Sequence, residues 1–109
     1  MKKASDIINL ARMAGRKKRL YSSHSLQQLI KPDRMITTGE IRSVIEHGEL
    51  IEDYPGDKRG HPCLISGKGN AGRFIHVVCS PKDKYLAVIT AYIPDGEEWD
   101  KNFRLRVKK

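Results

Sequence analysis

An α+β domain, with helices gathered first and packed on one face of a four-stranded antiparallel sheet, is the fold class this 109-residue sequence predicts. Three observations predict it. Apolar residues recur at helical spacing as far as Ile45, and after Gly48 the period falls towards two. The linkers between the expected strands are too short to hold a crossover helix. Helices collected ahead of an antiparallel meander form a two-layer pair, with the second sheet face open for binding.

The segment from Asp6 to Lys18 sets Ile7, Leu10, Ala11 and Ala14 on one stripe, with basic residues at its C-terminal end, where the helix dipole favours them. Gly15 weakens that helix. Ser22 or Ser23 can cap a short second helix carrying Leu26, Leu29 and Ile30, which Lys31-Pro32 ends. Thr37-Thr38-Gly39-Glu40 reads as a capping box opening a third helix, whose Ile41, Val44 and Ile45 face the core. Gly48 is expected to stop it in the left-handed conformation. Strands are expected over residues 49–54, 62–66, 73–79 and 85–93. The stretches 67–72 and 80–84 suit antiparallel turns. Trp99 and Phe103 read as a terminal helix or strand closing over the core.

At this length the chain can bury one core and hold one shallow site. A basic helical extension is expected over residues 1–20 and the α+β domain over 21–109. The longest apolar stretch, Leu86 to Ile93, is far short of the roughly 20 residues of a membrane span, and the N-terminus has no continuous apolar run of the secretory kind. A cytoplasmic protein with no membrane association is expected. Cys63 and Cys79 are too few for a disulfide framework and read as buried thiols. His61-x-Cys63 and His76-x-x-Cys79 match no established zinc spacing, so no metal or other cofactor is expected.

The net charge of +8 is unevenly spread. Lys2, Lys3, Arg12, Arg16, Lys17, Lys18 and Arg19 face only Asp6 in the first twenty residues, and Lys101, Arg104, Arg106, Lys108 and Lys109 face no acid in the last nine. Between them the chain is slightly negative. Two basic ends brought to one face would attract a phosphate backbone or an acidic partner. The alternative is two solvated ends, although Arg104 and Arg106 alternate with Phe103 and Leu105 as structured residues do.

Several segments carry a resemblance. Gly48-Glu49-Leu50-Ile51-Glu52-Asp53-Tyr54-Pro55 and Gly72-Arg73-Phe74-Ile75-His76-Val77-Val78, followed by the 88–95 segment, Trp99 and Phe103-Arg104-Leu105-Arg106, resemble a family of small bacterial domains of unknown function. The resemblance runs from about His24 to Arg106. That family is often placed with RelE-like and MqsR-like ribonuclease toxins. The resemblance therefore implies a RelE-like (BECR-type) fold, and it suggests a toxin–antitoxin endoribonuclease that cuts RNA without metal and is held by a cognate antitoxin protein. His24 matches the family's histidine, but the arginine expected four residues on is Gln28, with Arg34 nearby at a shifted position.

Metal-independent RNA cleavage needs a base for the 2′-hydroxyl proton, an acid for the leaving 5′-oxygen and a cation beside the phosphate. On this reading His76 and His24 exchange protons, Tyr92 orients the ribose or phosphate, and Arg73, Arg104 and Arg106 hold phosphate. His76 is expected near Tyr92 in the next strand but offset from it. Packed between Phe74 and Val78, it reads equally as a core histidine. Tyr54, at a strand end, can stack on a base or stand as an ordinary strand aromatic. Glu52 and Asp53 beside it read as a solvated edge. The glycines of 67–72 lack the ending of a phosphate loop and read as a hairpin turn, from which Lys68 could reach nucleic acid. A second function from another class stands beside the enzyme: a non-catalytic, basic nucleic-acid-binding or protein-interaction module on the same fold.

Overall fold

The computed structural model of the chain describes residues 4–29, 36–58, 60–95 and Trp99. Helix α1 (Ala4–Lys17) leads through strand β1 (Arg19–Tyr21) into α2 (Ser23–Leu29), and α3 (Thr38–His47) precedes β2 (Glu49–Asp53), β3 (Cys63–Lys68), β4 (Phe74–Pro81) and β5 (Leu86–Tyr92). A 3-10 turn over Asn70–Gly72 joins β3 to β4. The sheet is five-stranded and mixed, in the order β1-β5-β4-β3-β2, rather than four-stranded and antiparallel. The added strand, β1, runs parallel to β5. It is three residues long and sits in a basic run, so it shows no alternation in the sequence. Long-range bonds hold it: Leu86 N–H donates to Lys18 O at 2.8 Å and Ser22 N–H to Val88 O at 3.0 Å.

Helices α1 and α3 cover one face of the sheet. Ile7, Ala11 and Ala14 of α1 and Ile41, Val44 and Ile45 of α3 share one core with Cys63, Ile65, Ile75, Val77, Cys79, Leu86, Val88 and Ala91. The first helix thus builds the same core as the residues beyond position 20. Burying a side chain such as Ile7 or Ile41 is worth about 1.5–3 kcal/mol, so α1 adds to the stability of that core. Leu26 of α2, in contrast, is exposed. Among the described residues, no helix is long and apolar enough to cross a membrane.

Alternation turns Leu64, Ser66, His76, Val78 and Ser80 to the opposite face. That face was expected to be open. Instead Leu64, His76 and Ser80 are fully buried, and Trp99, itself buried, lies against His76.

Gly48 closes α3 but not in the left-handed conformation, because its φ of −78° and ψ of −175° are extended. The requirement for glycine there is steric. A Cβ at that position would lie 2.4 Å from Val44 O and 2.7 Å from Ser66 O, so only glycine lets the chain turn from helix to strand against β3. Cys63 and Cys79 are register partners on β3 and β4, fully buried, with their sulfurs 3.9 Å apart. The contact with Cys63, together with burial, pushes the Cys79 thiol well above its ordinary pKa.

Candidate functional site

The capping box forms as the sequence predicts and then extends beyond it. Glu40 N–H donates to Thr37 Oγ1 and Thr37 N–H to Glu40 Oε1, both at 3.0 Å. The Glu40 carboxylate, only 3% exposed, also accepts from Asn70 N–H at 2.8 Å and from Arg73, whose Nη2 lies 3.0 Å from Oε1 and Nε 3.4 Å from Oε2. Burial works to raise the Glu40 pKa, but the bonds from Arg73, Thr37 and Asn70 outweigh it and hold the carboxyl below its usual range. One side chain therefore fixes the start of α3 and the β3–β4 connection together. Gly69 makes room for it, since a Cβ there would fall 2.2 Å from Glu40 Oε2. Arg73, the expected phosphate ligand, is committed to this buried carboxylate. Spacing gave no hint of the partnership, because the two residues lie 33 positions apart.

His76 and Tyr92 are direct register partners, not offset ones. An extra residue, Ile89, shifts the β4–β5 pairing between Val78↔Thr90 and Cys79↔Val88, and the shift brings the two side chains into line. His76 Nδ1 lies 3.3 Å from the Tyr92 hydroxyl. The Tyr92 ring meets the imidazole edge-on at 5.3 Å between centroids, and the Trp99 indole does so at 4.5 Å. Ser66, the partner of His76 on β3, has a buried Oγ with no hydrogen-bond partner among the described residues. The row Ser66–His76–Tyr92 crosses three strands. It has the groups for proton transfer, but the imidazole is sealed from solvent.

The other sequence candidates are dispersed. Tyr54 donates to the Glu52 carboxylate, and Lys68 Nζ sits 5.4 Å from the centre of the Phe74 ring. His24 lies on α2, and its side chain is outside the described residues, as are Arg104 and Arg106 entirely.

A second arrangement was not singled out by the sequence. A cavity of about 350 Å³ opens between α1 and the β4–β5 turn, with Ile7, Leu10, Met13, Ala14 and Pro81 as apolar lining and Lys17, Lys82, Asp83 and His61 as polar lining. His61 Nε2 lies 2.9 Å from Asp53 Oδ2. A carboxylate can only accept, so Nε2 is the donor of this contact, and in the neutral ring that tautomer places the lone pair on Nδ1. Lys82 reaches over the β2–β3 loop, for a Cβ on Gly60 would come within 2.8 Å of its Nζ. Asp53 and His61 stand eight positions apart on the β2–β3 hairpin, a spacing with no signature of its own, and Gly60 and Lys82 come from segments distant in the chain.

The cavity marks an end of the molecule where basic residues converge. The last turn of α1 carries Arg16 and Lys17, Lys18 follows it directly, and the β4–β5 turn carries Lys82 and Lys84, with the acid Asp83 between them. The backbone bond from Leu86 to Lys18 ties the two segments together. Arg16 also pairs with Glu46 at 2.8 Å.

No curated protein and no solved structure matches the chain. A family model does match, over residues 21–93, a span that holds α2, α3, the β2–β5 strands, the His76–Tyr92 pair and the Asp53–His61 pair. The chain therefore belongs to the family described as Domain of unknown function (DUF4258).

Proposed function

We propose that this domain binds single-stranded RNA through its basic end, as a cytoplasmic protein of the RelE-like toxin type with an acidic antitoxin as its protein partner. The observation that supports this reading best is the convergence of Lys17 and Lys18 at the end of α1 with Lys82 and Lys84 of the β4–β5 turn. Lysines from two separate elements at one end of a small domain raise the local potential, and a flexible polyanion gains by releasing counterions there. The basic first and last segments of the chain add to the same net charge.

A second reading, metal-independent cleavage by the His76–Tyr92 pair, is favoured by their 3.3 Å contact. It requires Trp99 to move aside, because His76 is fully buried. The deciding experiment for binding is fluorescence anisotropy of a labelled 20-nucleotide RNA across a salt series. Log affinity falls by about 0.7 per phosphate neutralised, for each tenfold rise in salt, on single strands. The Lys17→Glu, Lys18→Glu double variant should bind more weakly and with a shallower salt slope. Salt-indifferent retention, or a double variant that binds like the wild type, overturns the proposal.

A further inference from the structure

We infer that the Asp53–His61 pair at the α1 groove is a catalytic site for cleavage of an RNA phosphodiester, with His61 as the base and Lys17 and Lys82 as the cations that hold the phosphate. The inference rests on the RNA-binding reading above and deepens it by placing chemistry beside the proposed binding surface.

Three observations come together at this one place. First, His61 is oriented: the 2.9 Å contact to Asp53 Oδ2 favours the tautomer protonated at Nε2, whose Nδ1 can accept a proton. Second, it is reachable, since its side chain is 22% exposed and it lines the groove. Third, Lys17 and Lys82, from different elements, line that same groove, and cationic side chains are the groups that stabilise a phosphate as charge builds on it. The volume of about 350 Å³ is in the range of small-ligand sites. The apolar side chains of Ile7, Leu10 and Met13 offer a surface on which a base can lie. Asp83 at the rim limits the net positive charge, and so favours one or two phosphates over a long backbone track.

The chemistry balances without a co-reactant. His61 Nδ1 takes the proton of a ribose 2′-hydroxyl, the 2′-oxygen forms a bond to the adjacent phosphorus, and the bond from phosphorus to the 5′-oxygen breaks. A water molecule protonates the departing 5′-oxygen, and the hydroxide left behind takes the proton back from His61. The products are a 2′,3′-cyclic phosphate and a 5′-hydroxyl end, and the protein returns to its starting state. Asp53 touches no substrate in this scheme and acts as a positioning residue.

The test incubates the full chain in excess chelator with a fluorescein-labelled single-stranded RNA 20-mer and with its 2′-deoxy counterpart. Binding and melting temperature are measured on the same samples. The expected result is cleavage of the RNA only, with cyclic-phosphate ends. His61→Ala should lose about 100-fold or more in rate, far beyond any change in binding, at an unchanged melting temperature. Asp53→Asn should lower kcat with little effect on KM, and Asp53→Glu should recover part of it. Lys82→Ala should raise KM. If the wild type binds RNA but leaves it intact, the catalytic inference fails and the binding reading stands. If it does not bind, both fail. If His61→Ala cuts like the wild type while His76→Ala or Tyr92→Phe does not, chemistry belongs to the buried row and the inference is overturned.

Discussion

Two histidines in this domain meet polar partners, and their surroundings give them opposite characters. His76 faces the Tyr92 hydroxyl from the middle of the sheet, enclosed by Trp99 and fully buried. His61 faces the Asp53 carboxylate from a loop beside a groove, in partial contact with solvent. The first arrangement stabilises by packing, and the second is cheap to lose but open to a substrate. A hydrogen-bonded histidine therefore says little about function until its accessibility is known. The regular strand position gave His76 the appearance of a proton-transfer site, while His61, in an irregular loop, reads in the sequence only as a metal ligand at a spacing that matches none.

The contrast is open to measurement, and the largest expected effect comes from a third place that supports both. Glu40→Ala removes the carboxylate that binds Arg73, Thr37 and Asn70. Breaking a buried ion pair costs about 3–5 kcal/mol, and the partial exposure of Arg73, at 32%, puts the expected loss at the lower end. Chemical denaturation measures it. The same group sets an acid limb. Because its pKa is lower folded than unfolded, Glu40 contributes stability that is complete above the unfolded value near 4.3 and is lost as pH falls through the lower folded value. Denaturation midpoints of the wild type should therefore decline below about pH 4.3, and in Glu40→Gln they should decline less.

Next in size is His76→Ala, expected to lower stability by roughly 1–3 kcal/mol through lost packing and the lost contact with the Tyr92 hydroxyl. Tyr92→Phe should cost less, about 0.5–1.5 kcal/mol, as it removes one hydrogen bond and keeps the ring. Smallest is Asp53→Asn, expected within about 1 kcal/mol of the wild type, as for an ion pair in contact with solvent. Were His61 or Asp53 variants to unfold the domain while His76→Ala melted like the wild type, the assignment of packing to one histidine and accessibility to the other would be reversed.

Much of the scaffold was legible because its signals are local. Thr37 and Glu40 stand at capping-box spacing, Ile41, Val44 and Ile45 recur on one helical stripe, and β3, β4 and β5 alternate or run apolar. What escaped depends on contacts distant in the chain. The three residues of β1 are a strand only because β5 lies beside them. Ile89 marks no bulge by its identity, yet its insertion decides that His76 and Tyr92 meet. Glu40 is a cap by spacing and a buried anchor only through Arg73 and Gly69. The groove needs α1, the β2–β3 loop and the β4–β5 turn at once, so no window of sequence contains it.

The facing sulfurs of Cys63 and Cys79 give the protein an internal clock. Both thiols are out of contact with water, and the thiolate of Cys79 is strongly disfavoured. An alkylating reagent in solution can reach them only when β3 and β4 part. The rate of labelling therefore times the opening of the centre of the sheet, with no probe introduced and no residue of either histidine pair altered.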